Sequence, residues 1–328
     1  MKLINILTSF IVIILILFLN SSTCNYGVTA FNSHRSKLQL DEQLRKSVPP
    51  KVHYSGKNYD SSYNSDEICK FNIIIRVNEW STDDIENVWE LSGLFEGDIM
   101  PNSDSKIRNG LVDEAMRWPN GSIPVYIDRD NFDEDDVESI MGAIDEFHEK
   151  TCLVFHPYDN KTDKNYVIFR GNQAGCWSSV GKQNEGQVIN LQNPGCLSHG
   201  TIVHEILHAV GFYHQQSTYD RDQFVKINWE NIKPGREHNF NKYDNRTVTN
   251  YKTEYDYNSV MHYSKKAFSQ NGNETITPLK PGVEIGQRKS MSKKDLFKVR
   301  MMYKDHCKGR KPQGVIASVP LRITSLLS

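Results

Sequence analysis

"HEILHAVGFYH", residues 204–214, places three histidines and one glutamate within eleven positions. Read as a helix, His204 and His208 stand four residues apart, so about 40° of rotation and about 6 Å of rise separate them and both rings leave one face. Two imidazoles at that spacing can share one metal ion. His214 cannot join them from the same continuous helix, because six further residues carry it about 240° away from His208. The chain has to bend first. Gly211 stands where the bend is needed, since glycine most readily adopts the left-handed conformation that ends a helix.

A lone pair of histidines four apart is more often an ordinary helix face than a metal site. Five specified residues in one short window, with a defined mechanical reading, favour the metal. Three neutral histidines around zinc leave a coordination position for water, which separates a catalytic site from a closed structural one. Zinc lowers the pKa of such a water to about 7. Glu205, beside His204, is placed to take the proton during attack on a carbonyl and pass it to the leaving amine. The spacing is the metzincin pattern HExxHxxGxxH, which calls for a tight turn carrying methionine under the metal. "YDYNSVMHYS" supplies Met261 in that role. By itself a buried methionine would be read as core packing.

Around this window the chain runs to 328 residues with a formal charge of −1, so nothing in its balance suggests nucleic acid as a partner. The clustered basic residues of "KKDLFKVR" (293–300) read as an ordinary solvated face. The first residues, "MKLINILTSFIVIILILFLNSSTC", pass from a lysine through an apolar core into small polar residues, the layout of a secretory signal peptide. The short core and the small residues after it favour cleavage over an uncleaved anchor. No other stretch has the length and apolarity to span a membrane, so none is expected after cleavage. In an oxidising compartment cysteines pair. Cys24 falls at the cleavage region, Cys69 stands apart, and Cys152, Cys176, Cys196 and Cys307 allow three pairings that spacing alone does not resolve. Sequons at Asn120, Asn160, Asn245 and Asn273 are candidate glycan sites.

Residues 25 to about 66 are polar and aperiodic and read as loosely ordered. From Cys69 the pattern tightens into an apolar run. Ser81 or Thr82 then reads as a helix cap before Ile85, Val88, Trp89 and Leu91 at helical spacing. "PNSDSKIRNG" (101–110) reads as an exposed loop open to a processing protease. Beyond it "IPVYID", "NYVIFRG" and "GQVINLQ" read as strands. "DEDDVESIMGAIDEFHEKT" reads as an amphipathic helix with acidic first turns. The order suggests an α+β domain with a loop-rich tail end, and the resemblance carried by the metzincin motif implies a metzincin-like catalytic unit with a twisted β-sheet, an active-site helix and a loop-rich C-terminal subdomain.

Beyond the zinc helix, "GCWSSVG", "HEILHAVGFYHQQSTYDRDQFVKINWENI", Asn239–Phe240, "YDYNSVMHY" and "SKKDLFKVRMMYKDHC" resemble the astacin family of secreted zinc endopeptidases. The resemblance spans residues 109–307, with a further match at "LFEGDI". It implies zinc ligation by His204, His208 and His214, with Glu205 as general base. Tyr263 would ligate zinc in the resting enzyme and swing away to bind the oxyanion, a suitable task for a phenol donor. It further implies disulfides Cys152–Cys307 and Cys176–Cys196. The first would close a loop of about 155 residues, worth a few kcal/mol, and the second would hold the segment before the zinc helix.

The resemblance also implies a zymogen. Residues 1–24 would be the signal peptide, 25–108 the propeptide, 109–307 the protease and 308–328 a short tail. Asp98 of "FEGD" would occupy the water position on zinc, a sound role for a carboxylate. Cys69 is the competing blocking ligand, but "EICKF" does not resemble a cysteine switch. A trypsin-like protease would cut after Arg108, freeing Asn109. The implied substrates are extracellular proteins or peptides, extended against an edge strand near "GQVINLQ". Two positions depart from the family. Gln215 replaces a glutamate that pairs with the new N-terminus, leaving an acceptor without charge assistance. Thr218 replaces an arginine. The rival reading, a catalytically impaired protein-binding relative, is disfavoured by the presence of Glu205, Tyr263 and all three histidines. An adhesive protein is disfavoured because no module follows Cys307.

Overall fold

The computed structural model describes residues 65–101, apart from 82, 83 and 85, then 113–306, together with 310 and 312. The expected signal peptide, the Arg108–Asn109 cleavage point, Cys24 and Cys307 lie outside the described residues.

The first helix, α1 (Ser65–Glu79), lies earlier than the sequence pattern suggests. Cys69, Ile73 and Val77, four apart, are its buried face. Val88, Trp89 and Leu91 instead form a single 3₁₀ turn, in which Asn87 donates its N–H and its Nδ2–H to the Glu90 carboxylate at 3.2 and 3.0 Å. Every residue from Asn87 to Ser92 is buried, so their apolarity reflects a turn enclosed on all sides, and helical spacing was a misleading cue.

Five strands, β1 (Ser122–Ile127), β2 (Val154–Pro157), β3 (Tyr166–Arg170), β4 (Cys176–Ser178) and β5 (Gly186–Leu191), form one sheet in the order β2-β1-β3-β5-β4. All pairs are parallel except β4 with β5. "GQVINLQ" is therefore an interior strand, flanked by β3 and β4. The edge strand next to it, beside the histidine helix, is β4. A short strand of three residues carried too little periodic signal to be read.

Helix α2 (Glu134–Lys150) starts at Asp133, whose side chain accepts from the Asp136 N–H while Asp136 returns the bond. Val137, Ile140, Ile144 and Phe147 form its core stripe. It packs on α3 (His199–Val210), the histidine helix, which is buried from Gly200 to Val210. A Cβ at Gly200 would lie 2.0 Å from the Arg288 carbonyl oxygen, so only glycine allows this close approach.

Beyond α3 the chain is mostly turns. β6 (Val225–Ile227) and β7 (Ile276–Pro278) pair antiparallel over a second apolar cluster containing Phe240, Tyr255, Tyr263 and Phe268. Helix α4 (Lys293–Met302), capped by Ser292, returns to the main core through Val299 and Met302. Lys293 and Arg300 lie on a solvated face as expected, but Lys298 is only 7% exposed and departs from that reading. The described part thus has two apolar clusters, and the histidines sit between them.

A candidate zinc centre beneath an inserted carboxylate

Helix α3 stops at Gly211, whose φ of 126° is open to glycine and whose N–H bonds the carbonyls of Leu207 and His208. That bend brings His214 back over His208. The ring centroids of His204–His208, His204–His214 and His208–His214 are 4.8, 5.4 and 4.8 Å apart.

Each Nδ1 has an acceptor. His204 Nδ1 donates to the Val260 carbonyl at 2.9 Å, and His208 Nδ1 to the Phe212 carbonyl at 2.7 Å. His214 Nδ1 donates to Glu96 Oε2 at 2.8 Å. A carbonyl can only accept, so the hydrogen in the first two neutral rings sits on Nδ1 and leaves Nε2 as a bare lone pair. Those Nε2 atoms converge on Asp98. Its Oδ2 lies 3.0 Å from His204 Nε2 and 3.3 Å from His214 Nε2, and its Oδ1 lies 3.3 Å from His208 Nε2.

Lone pairs facing a carboxylate repel unless a cation lies among them. The four residues offer ligand atoms within 4.8 Å of one another, and all four are buried. Asp98 Oδ1, His208 Nε2 and both carboxylate oxygens of Glu205 are buried without a hydrogen bond. In the metal-free chain the same demand appears in the ionisation equilibria. Burial pushes His204 down to about 4. Burial also opposes a charge on His214, yet Asp98 and Glu96 carry it up to about 10. Burial works against a charge on Asp98 as well, but the neighbouring histidines hold it well below the ordinary carboxylate range. For Glu205, burial and then the charge of Asp98 push the carboxyl well up. A divalent ion in place of these protons fits the donor set.

A family model described as Astacin, a peptidase family, matches residues 110–304. The chain belongs to the astacin family. It is 42% identical over 217 residues to low choriolytic enzyme of Oryzias latipes, covering 64% of this chain and 78% of that protein. It is 39% identical over 225 residues to seminal metalloprotease 1 of Drosophila melanogaster, covering 66% and 89%. The solved structure of high choriolytic enzyme 1, a hatching enzyme zinc-protease from medaka fish, matches with a TM-score of 0.53 at 38% identity. That match covers 57% of this chain and 92% of the other. This astacin is accordingly a zinc metalloendopeptidase with the α+β fold of that family, and its His₃–Asp cluster is consistent with the one zinc such enzymes bind.

Met261 packs in the main core, and its carbonyl accepts from the Gln215 N–H at 2.9 Å, tying the methionine turn to the residue after the third histidine. Tyr263 is fully buried, and its OH donates to the Glu96 carbonyl at 2.6 Å. Gln215 Oε1 accepts from the Lys298 ammonium, and Thr218 Oγ1 donates to the Gln215 carbonyl. Cys176 and Cys196 are bonded to each other. Cys152 and Cys69 are each held in a disulfide as well. This removes Cys69 as a blocking thiolate, while the partner expected for Cys152, Cys307, lies outside the described residues. Asn120, Asn160, Asn245 and Asn273 are all exposed.

Several site residues escaped the sequence reading. The Trp89 ring stacks on His204 at 4.1 Å and 17°. Glu90 binds Ser264, just past the methionine turn, through its N–H and hydroxyl at 2.8 and 3.0 Å. Glu96 touches both His214 and Tyr263. All three belong to residues 88–98, where Trp89 reads as part of a helical stripe and "FEGD" contains Glu96, but only Asp98 carries an expected role at the metal.

Proposed function

We propose that this astacin is a secreted endopeptidase made as a zymogen, in which residues N-terminal to Asn109 hold the active site closed. The observation that carries the reading is the position of Asp98, with one carboxylate oxygen 3.0 and 3.3 Å from two Nε2 atoms and the other 3.3 Å from the third. Residues 98–100 support it by pairing with the edge strand. The Ser178 N–H donates to the Asp98 carbonyl at 3.0 Å, and the Met100 N–H donates to the Ser178 carbonyl at 2.9 Å. The inserted segment therefore covers both the ion position and the main-chain groups that an extended peptide would use.

His204, His208 and His214 would hold zinc, which when bound would supply Lewis acidity to a carbonyl and lower the pKa of a water to about 7. The chain's own groups do the rest. Glu205 lies in the next position on α3, and its two unbonded oxygens can take a proton from the attacking water and deliver it to the leaving amine. The Tyr263 phenol is kept protonated by burial and by the charges of Glu96 and Asp98. Released from the Glu96 carbonyl, it is a donor for the developing oxyanion. β4 binds the substrate backbone in an extended form. Cleavage after Arg108 by a trypsin-like protease, signal removal near Cys24 and glycosylation of the exposed sequons complete the reading.

The test is to secrete the full chain, treat it with trypsin, and follow cleavage of a peptide library with and without a zinc chelator. Chelator-sensitive cleavage appearing only after trypsin is the expected result. No such cleavage in either form would turn the assignment toward a protein-binding relative.

A further inference from the structure

Glu96 sits in a turn in which Leu94 and Gly97 exchange backbone hydrogen bonds of 3.0 Å each way. Its φ is 47°, a conformation that favours glycine, so the glutamate is retained there against its backbone preference. Three contacts fix it. Its N–H donates to Asn239 Oδ1 at 3.0 Å, its carbonyl accepts from Tyr263, and its carboxylate accepts from His214 Nδ1. The carboxylate is buried, and its only ion-pair partner among the described residues is His214. Such a charge is costly in an apolar setting unless a positive charge balances it.

We infer that Glu96 is a second, outer-sphere hook of the prosegment. It strengthens the zinc bond of His214 from behind, so that the uncut chain holds zinc more tightly than the processed enzyme. A carboxylate on the far nitrogen of a ligating imidazole fixes its tautomer and orientation and raises its basicity. The other two histidines have only carbonyls in that position, from Val260 and Phe212. Charge gives the same result. With three neutral imidazoles, Asp98 and Glu96 together cancel the two positive charges of the ion. Processing removes both carboxylates and returns His214 Nδ1 to other partners. Metal loading is thereby favoured before activation, when the site cannot cut.

The inference rests on the zymogen reading, and one set of measurements separates the two. Full-length proform, its Glu96→Gln, Glu96→Ala and Asp98→Asn variants, and the trypsin-processed enzyme are titrated with zinc against a chromogenic chelator. Peptide cleavage is followed in parallel. Losing an outer-sphere partner costs about 10–100-fold in metal affinity, so Glu96→Gln, which keeps an acceptor but no charge, should weaken zinc binding about 10-fold and Glu96→Ala about 100-fold. The processed enzyme should bind more weakly than either Glu96 variant, having lost Asp98 as well. Glu96→Gln is nearly isosteric, and its far-UV circular dichroism spectrum in saturating zinc should match wild type; if Glu96→Ala does not fold, this variant carries the test. Wild-type zinc affinity in folded Glu96→Gln overturns the inference while leaving latency intact. A wild-type proform that cuts peptides without processing overturns the zymogen reading itself.

Discussion

Glu90 provides a test of how the prosegment is held, because its carboxyl is buried within the turn that binds Ser264. Burial pushes it from 4.5 up to about 7, the hydrogen bond from the Ser264 N–H works the other way, and the charge of Glu86 adds to the rise. Such a rise corresponds to about 3 kcal/mol of pH-linked stability. The docked carboxyl binds its proton more tightly than the released one. The contribution is therefore complete below pH 4.5 and is lost as the pH climbs through about 7. Docking of the prosegment should be firmest in mild acid and weakest at neutral pH. In Glu90→Gln the side chain keeps an acceptor for Ser264 and cannot ionise. Urea unfolding of zinc-loaded proform at about pH 5 and about pH 7.5 measures the difference. Wild type should lose about 2 kcal/mol more than Glu90→Gln over that interval, the part of the full contribution that falls between those two pH values. Histidine titration and zinc release contribute to both proteins and cancel in the comparison. If the two curves fall in parallel, Glu90 does not titrate in this window and the reasoning fails.

Asp98→Asn removes the charge opposite the three Nε2 atoms while residues 98–100 still pair with Ser178, so the uncut chain should cleave peptides weakly before trypsin, above the silent wild-type proform and below the processed enzyme. Lys298→Met deletes the ammonium that bonds Gln215 Oε1 and faces Asp295. Since Asp295 keeps bonds from Ser259, Val260 and Ser292, the loss should be about 2 kcal/mol in urea unfolding near neutral pH. Gly200→Ala drives a methyl group into the Arg288 backbone at 2.0 Å and should cost about 3 kcal/mol, together with weaker zinc retention as α3 shifts. Chelation of zinc from wild type should lower the melting temperature, because it leaves Asp98, Glu205 and three imidazoles buried without their ion.

The parts legible in the sequence were those where one local rule dominates. The four-residue spacing of His204 and His208 fixes one face of a helix, Gly211 ends it, and the apolar stripe of α2 and the strand runs of β1, β3 and β5 follow simple periods. The rest depends on contacts between distant segments. β4 is three residues long and is an edge only because β5 crosses to lie inside the sheet. Lys298 looks like one more basic residue of a polar helix until Gln215, 83 positions away, is found against it. Trp89, Glu90 and Glu96 draw their meaning from His204, Ser264 and His214, more than 100 residues further on. Nothing local distinguishes such residues from ordinary core or surface.

The pair Gln215–Gln216 shows why the departure from glutamate leaves the site intact. Both side chains are buried directly after the third histidine, and each is engaged from outside its own turn. Gln216 Oε1 accepts from the Tyr263 N–H at 3.1 Å, and its carbonyl accepts from Arg221. Gln215 gives its N–H to the Met261 carbonyl and takes a cation from α4. A glutamate at 215 would face a buried lysine, making an ion pair whose desolvation offsets much of its attraction. The neutral amide meets the same ammonium with one charge fewer to bury. Lys298 thus provides, from within the folded domain, a cation for position 215 that does not wait for a new chain end. The ordering of His214 against the methionine turn is already complete in the uncut chain. On the zymogen reading, proteolysis would remove Glu96 and Asp98 from the histidines, and activation would be the unblocking of a finished site rather than its assembly.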